Sequence, residues 1–318
     1  MIALVCLAAY GLLDLAVSTL VAIVWRTRAV APADLPPTVR ARRILMLRLT
    51  PFVASAAITV FIVAPAFVLF EPVQDNEKFG PLIALPATAA IINLIFGAFL
   101  AIVRFGMTRR LEREWLRRSS PLDAAPGMRA FIVDGTAPVV ALVGVFSPTL
   151  IAARSIIERC TKDEIAAMVA HERGHFTSRD NLKRWLMTSL PDWLIRTGIH
   201  RDMIAAWHQA AEDAADDAAT QGEPAARADL AALLLKVVRL APRCYPKAAI
   251  VSPFVEGDGL ERRVRRLIKA ELEPPARLAI VPMIALAVIV SAGVATLLSP
   301  SLLNAVFVVF ERLVAFGR

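Results

Sequence analysis

The sequence predicts a mainly α-helical, polytopic membrane protein with an α+β domain inserted between its third and fourth membrane helices. Three observations lead to this fold class. The 318 residues are 57% hydrophobic and their mean hydropathy is +0.58, which is too apolar for an ordinary soluble protein. Four apolar runs reach the ~20 residues that are needed to cross a bilayer. A long charged stretch, residues 104–277, separates the third run from the fourth.

The four apolar runs are residues 1–25, 49–70, 81–103 and 278–298. Asp14 is the only charged residue in any of them. No basic residue precedes the first run, and Arg26 and Arg28 follow it, so this run is predicted to be a retained anchor rather than a cleaved signal peptide. We therefore assign residues 1–103 to three transmembrane helices and residues 278–298 to a fourth.

The charges between the runs predict the orientation of the chain. Arginines dominate the segment between the first two runs and the segment after the third, whereas residues 71–80 hold three acidic residues against Lys78 alone. By the positive-inside rule, residues 71–80 are outside and residues 104–277 form a cytoplasmic domain. The sequence thus predicts a multi-pass protein of the cell inner (cytoplasmic) membrane.

The net charge of +8 does not call for a nucleic acid partner. The arginines cluster beside the apolar runs, where contact with the anionic lipids of the bilayer explains them more simply. Cys6, Cys160 and Cys244 show no paired spacing, so we expect free thiols and no disulfide. The oligomeric state stays open.

Within the predicted cytoplasmic domain, short β-branched segments precede a series of helices. Residues 129–133 and 139–145 are rich in β-branched residues, and Asp134-Gly135 lies between them, which predicts a short β-hairpin. A helix is expected to begin at Leu150. Helical patterns also predict helices in residues 104–118, 198–220, 226–240 and 259–272, and an amphipathic or interfacial C-terminal segment in residues 299–318.

A His-Glu-x-x-His motif, with His171 and His175 at its ends, lies in a segment that is predicted to be helical. Thr161 and Glu164 form a capping box at the start of that segment. Residues four apart share one face of a helix, so both histidines can bind one metal ion with Glu172 beside it. Zinc is the usual metal for such a pair, and the Glu is the base that activates water. The alternative is an ordinary charged helix whose histidines face solvent.

A catalytic zinc ion generally has three protein ligands, and the motif provides two of them. His208, Glu212 and Asp216 follow at intervals of four, so they form one stripe on a second predicted helix. Glu212 is the best candidate for the third ligand, because a carboxylate on this stripe can reach the two histidines. An exposed acidic helix face is the alternative interpretation.

The motif, followed by Asp180 and then by Glu-x-x-Ala-Asp from Glu212 to Asp216, resembles the gluzincin membrane metallopeptidases. The strongest resemblance is to the M56, or antirepressor-type, family, which includes the β-lactam sensor-transducers. Three apolar runs before the motif and one after it match that family's arrangement, and residues 144–148 resemble its glycine-plus-proline strand segment. The resemblance extends over about residues 1–298.

This resemblance implies a gluzincin-type domain that binds Zn²⁺, and it implies a role for each residue of the site. The implied metal ligands are His171, His175 and Glu212, the catalytic residue is Glu172, and the supporting carboxylates that would orient the histidines are Asp216 and Asp180. Sensor members of the family carry a large extracellular domain after the last membrane helix. This chain ends at Arg318, so β-lactam sensing is not expected.

We therefore predict a membrane-embedded zinc endopeptidase that cleaves a protein substrate, with a cytoplasmic transcriptional repressor as the candidate implied by the resemblance. Residues 141–145 are expected to be an edge strand that binds the substrate backbone by strand addition. The residue that stabilises the oxyanion stays open among His208, His200 and nearby arginines. Two alternatives remain: an M48-type quality-control protease, a class that usually has two membrane helices before the motif, and a non-catalytic membrane scaffold.

Overall fold

A computed structural model of the chain describes residues 2–27, 35–70, 80–123, 127–134, 140–191, 193–240, 251–253, 259–269 and 299–316. Helices make up most of these residues. The first four helices are α1 (Ile2–Arg26), α2 (Pro37–Ile58), α3 (Ala64–Phe70) and α4 (Pro81–Leu116). The later helices are α5 (Arg154–Ile157), α6 (Lys162–Ser178), α7 (Asp180–Ser189), α8 (Gly198–Thr220), α9 (Pro224–Leu240), α10 (Leu260–Lys269) and α11 (Pro300–Phe316).

Among the described residues, three helical segments are long and apolar enough to cross a membrane, namely Ile2–Arg26, Pro37–Phe70 and Pro81–Leu116. In the second of them a π-helical turn, Thr59–Val63, joins α2 to α3 without a break. The second and third segments begin with a proline, whose fixed φ and missing N–H suit the first turn of a helix. The three apolar runs predicted before residue 104 are therefore helical, whereas the fourth, residues 278–298, lies outside the described residues.

The C-terminal helix α11 packs against the long apolar helices. Leu303 and Phe307 are buried in a cluster that includes Val5 of α1 and Val63 of the π-helical turn. The ring of Phe307 meets the edge of Phe67 with 5.3 Å between the ring centroids. The amphipathic pattern of the C-terminal segment thus reflects one apolar face that is turned toward α1 and α3.

A five-stranded sheet lies between α4 and the later helices. Its strands are β1 (Ser119–Pro121), β2 (Ala130–Val133), β3 (Val140–Val143), β4 (Thr149–Ala153) and β5 (Val251–Pro253). In space the order is β1-β2-β4-β3-β5, with β2 parallel to β4 and the other neighbours antiparallel. The predicted hairpin of residues 129–145 is therefore wrong, because β4 lies between its two strands.

The prediction of a helix that begins at Leu150 is also wrong. Residues 149–153 form β4, and α5 begins only at Arg154. All five residues of β4 are buried. A strand buried on both faces is a continuous apolar run rather than an alternating one, and periodicity alone cannot distinguish it from a helix.

The predicted edge strand at residues 141–145 is not at an edge in the described structure. Strand β3 ends at Val143, and β5 pairs with it on the side away from β4, with Ala141 opposite Pro253 and Val143 opposite Val251. Because β5 comes from more than 100 residues later in the chain, no local pattern near β3 indicates this partner. Substrate addition directly to β3 therefore does not follow from the fold.

Helix α6 crosses α8 at a point of close backbone approach. A Cβ atom added at Gly174 would lie 3.1 Å from the Cα atom and 3.3 Å from the Cβ atom of Ala215. The absence of a side chain thus lets the two helices come together. The predicted capping box at the start of α6 is formed, since Thr161 Oγ1 accepts from the Glu164 N–H and Glu164 Oε2 accepts from the Thr161 N–H.

Helix α8 also packs on the second of the long apolar segments. Trp207, which is 1% exposed, packs in a cluster with Ile44 of α2 and Val21 of α1. Arg40 of α2 donates to the buried Asp213 carboxylate at 2.5 Å. The helix that carries the predicted third ligand therefore packs on α6 on one side and on the apolar helices α1 and α2 on another.

Candidate metal centre

The two histidines of the motif point their Nε2 atoms at one another. His171 is 0% exposed and His175 is 2% exposed, both on α6. The two Nε2 atoms are 3.2 Å apart, with 4.8 Å between the ring centroids and 81° between the ring planes. This follows from their spacing, because residues four apart on a helix stand one above the other. The alternative interpretation, in which both histidines face solvent, does not describe this arrangement.

Helix α8 brings a carboxylate to the same point. Glu212 Oε1 is 3.4 Å from His175 Nε2, and Glu212 Oε2 is 3.6 Å from His171 Nε2. One ligand atom from each of these three residues lies within 4.8 Å of the others, and all three residues are buried. Together they form a group that could hold a metal ion.

Two further carboxylates orient the imidazole rings. Asp216 lies 3.0 Å from His171 Nδ1, and Asp180 lies 2.8 Å from His175 Nδ1. An ionised carboxylate only accepts hydrogen bonds, so each ring carries a proton on Nδ1 and presents a lone pair on Nε2. Two ring nitrogens and a carboxylate oxygen converge on one point, where a cation is favoured, and Asp216 and Glu212 raise the pKa of His171 against its burial. The donor set therefore fits a metal such as zinc, with outer carboxylates in the positions that usually fix ligating histidines.

Arg263 of α10 is the buried cation of the site, and the sequence analysis missed its role. Its Nε and Nη2 atoms donate to Asp216 at 2.9 and 2.6 Å, and its Nη1 lies 2.8 Å from Glu212 Oε2. The side chain is 4% exposed. One guanidinium group thus ties the predicted third ligand to the carboxylate that orients His171.

The charge of Arg263 dominates the electrostatics of these carboxylates. Burial by itself would raise the pKa of Glu212, but the charges of Arg263, His175 and His171 together outweigh it and hold that pKa well below its usual value. The pKa of Asp216 is lowered in the same way, against its burial. In return, the two carboxylates raise the pKa of Arg263 despite its burial. Both carboxylates are therefore ionised at neutral pH.

Glu172 lies beside the group without belonging to it. It is 0% exposed, and neither of its carboxylate oxygens has a hydrogen-bond partner among the described residues. Burial raises its pKa to about 8. A buried carboxyl group with unused oxygens and a pKa near neutrality has the properties of a proton acceptor.

Asn181, directly after Asp180, is a second residue that the sequence analysis missed. Its side-chain amide donates to the carbonyl oxygens of Leu142 and Gly144, at 3.1 and 2.9 Å. Asn181 is buried, and it links α7 to the end of β3. Its position next to a predicted site residue was the only signal in the sequence that could have drawn attention to it.

Two histidines and a glutamate converge from two helices, with a separate buried Glu beside them, and this is the kind of donor set that metallopeptidases use. Residues 110–243 match the model of Peptidase family M48. This match covers less than half of the 318 residues and includes every residue of the candidate site except Arg263. No curated protein matches the chain.

The match supports the M48 family, which the sequence analysis treated as the alternative, and the M56 assignment is not confirmed. Three long apolar helices precede the motif, as expected for the M56 family, and yet the match is to M48. The number of apolar helices therefore did not distinguish the two families. The M48 match implies a metallopeptidase, and the apolar helices are compatible with a membrane protein.

Proposed function

We propose that this protein is a membrane-embedded, zinc-dependent endopeptidase. The observation that carries the proposal is the buried group of His171, His175 and Glu212, whose ligand atoms lie within 4.8 Å of one another. The carboxyl group of Glu172 lies beside them and has no hydrogen-bond partner within the described part of the chain. A structural metal site would need no such carboxyl group. The M48 match supports the same class of reaction.

The proposed reaction is hydrolysis of a peptide bond. Zinc bound at this group supplies Lewis acidity, which polarises a carbonyl and makes a water molecule easier to deprotonate. Glu172 accepts the proton of the attacking water as the carbon–oxygen bond forms, and it passes this proton to the amine nitrogen as the carbon–nitrogen bond breaks. Asp180 and Asp216 keep the two imidazole rings oriented, and Arg263 keeps Glu212 and Asp216 ionised.

We propose a protein substrate on the cytoplasmic side of the cell inner membrane. The arginine-rich segments beside the apolar helices support this orientation. The proposal that the substrate is a transcriptional repressor rests on the M56 resemblance alone. The M48 match favours the second candidate, a quality-control protease that acts on other membrane-associated proteins.

The first test is the metal requirement. Purified protein is expected to contain about one zinc ion per chain, and His175→Ala is expected to lose it, because two ligands hold zinc far less tightly than three. His200→Gln is the matched control, since His200 is also buried but lies outside the candidate group. Metal content after chelation and dialysis, together with cleavage of a fluorogenic casein, measures both effects. If His175→Ala kept zinc and activity, the proposed site would be wrong; zinc without activity in the wild type would support the scaffold alternative.

The second test is orientation. A reporter enzyme that is active only outside the inner membrane is expected to work when fused after Gln74 and to be inactive when fused after Gly135. A cytoplasm-specific reporter at the same two positions is the control and should give the opposite pattern. If the first reporter were active after Gly135, the cytoplasmic location of the substrate would be refuted.

A further inference from the structure

His208 lies one helical turn before Glu212 on α8, so the two side chains share a face of that helix. Both line a cavity of about 320 Å³ that opens between α8 and the start of α10. The cavity is thus bounded on one side by a residue of the candidate metal group. None of the roles assigned above uses His208.

Arg184 of α7 determines which nitrogen of His208 carries the proton. Its Nη2 atom lies 2.8 Å from His208 Nδ1. A guanidinium group has only donors, so Nδ1 must accept and cannot carry a proton. The ring is therefore neutral and holds its one proton on Nε2. Burial and the charge of Arg184 lower the pKa of His208 well below its usual value, which keeps the ring neutral.

The ring is also held in position by its neighbour. Trp207, which is fully buried in the cluster against α1 and α2, meets His208 edge-on with 5.3 Å between the ring centroids. Arg184 comes from α7, which follows the motif helix directly. The Nε2–H group is therefore a donor of fixed orientation, and a donor that is already oriented stabilises a developing charge without the cost of reorganisation.

Two of the arginines that line the cavity are already engaged with carboxylates. Arg263 binds Glu212 and Asp216, and Arg262 donates to both carboxylate oxygens of Asp213 at 2.8 Å. Arg201 lines the cavity but its side chain is exposed at the surface. His200, the other histidine considered from the sequence, does not line this cavity.

We propose that His208 is a further catalytic residue, which donates its Nε2–H to the substrate carbonyl oxygen as that oxygen gains negative charge. This proposal rests on the proposed peptidase function. It adds no proton transfer, because the Nε2 proton stays on the ring throughout. Arg184 is a positioning residue in this scheme, because its hydrogen bond to Nδ1 keeps the ring proton on Nε2.

The activity test uses full-length protein in detergent with a fluorogenic casein. His208→Phe is expected to lower kcat by ~10²–10³ with little change in KM and in zinc content, which is the cost of one missing oxyanion donor. His208→Gln, whose amide can donate from a similar position, should recover part of the loss. A His208→Phe variant with full zinc content and the wild-type kcat would overturn the proposal.

A second measurement needs neither metal nor activity. The chain has four histidines, so ¹⁵N-histidine labelling gives a spectrum simple enough to assign by substitution. In the metal-free protein, His208 is expected to be the neutral tautomer with the proton on Nε2, and Arg184→Met should convert it to a mixture. A proton on Nδ1 in the wild type would overturn the proposal even in an active enzyme. Lack of casein cleavage by the zinc-loaded wild type would instead count against the proposed function.

Discussion

The Glu172→Gln variant is expected to bind zinc at the wild-type stoichiometry while its peptidase rate falls by ~10²–10⁴, the usual contribution of a general base. Glu172 is buried beside the candidate metal group, yet the three ligand atoms come from other residues. An amide has nearly the shape of a carboxyl group but cannot accept the water proton. Metal analysis and initial rates on the same preparation measure the two effects together.

Asp163→Asn is the matched control for this variant, because Asp163 is an exposed carboxylate in the first turn of the same helix. Its rate and its zinc content should equal those of the wild type. If Glu172→Gln cleaved at the wild-type rate, Glu172 would not be the base. If it lost zinc, Glu172 would belong to the metal-binding group and the distinction between ligand and base would fail.

The same variant has an expected effect on the metal-free protein. Burial raises the pKa of Glu172 to about 8, above its ordinary value of 4.5. Between these two values the unfolded chain has released a proton that the folded chain still holds. The contribution of Glu172 to the free energy of unfolding is therefore fully present below about pH 4.5. It decreases as the pH rises and is lost above about pH 8. Thermal unfolding should show a smaller decrease for Glu172→Gln than for the wild type between about pH 5 and pH 8.

Arg263→Met is expected to destabilise the metal-free protein by about 3–5 kcal/mol, because removal of one partner leaves buried charges uncompensated. The guanidinium group is 4% exposed and binds both Glu212 and Asp216. Combining Arg263→Met with Asp216→Asn should restore part of the stability, since one of the unpaired charges is then absent. Unfolding by heat or urea, followed by circular dichroism in detergent, measures the differences.

Arg265→Met is the matched control on the same helix. Arg265 is 65% exposed and pairs with Glu261, which is 86% exposed, so its loss should change the stability little. Equal melting curves for Arg263→Met and Arg265→Met would show that the buried ion pairs do not contribute to stability. A loss of zinc affinity in Arg263→Met alone is expected as well, because Glu212 loses the group that orients it.

The site was more predictable than the sheet, for a physical reason. Helix geometry relates residues four apart without knowledge of the rest of the fold, so the facing of His171 and His175, and the stripe that contains Glu212, could be derived from spacing. Strand order depends on partners that are distant in sequence. The position of β4 between β2 and β3, and the pairing of β5 with β3, had no local signal.

Arg263 shows the same limit within the site itself. It lies about 50 residues after Asp216 in a helix rich in arginine, and the sequence predicted only a helix there, at residues 259–272. Its neighbours Arg262 and Arg265 have the same chemistry but different partners, Asp213 and Glu261. Only the packing of α10 against α8 distinguishes the arginine at the site from the others.

The contact between Gly174 and Ala215 has a consequence for the size of the candidate metal group. Gly174 precedes His175, and Ala215 precedes Asp216, so the backbone spacing at this crossing sets the width of the gap between the histidines and Glu212. Side chains can rotate to suit a larger ion, but two backbones in contact cannot move apart without repacking both helices. The width of the gap that the candidate metal group offers to an ion is therefore limited by the main chain, at a residue that donates no ligand atom.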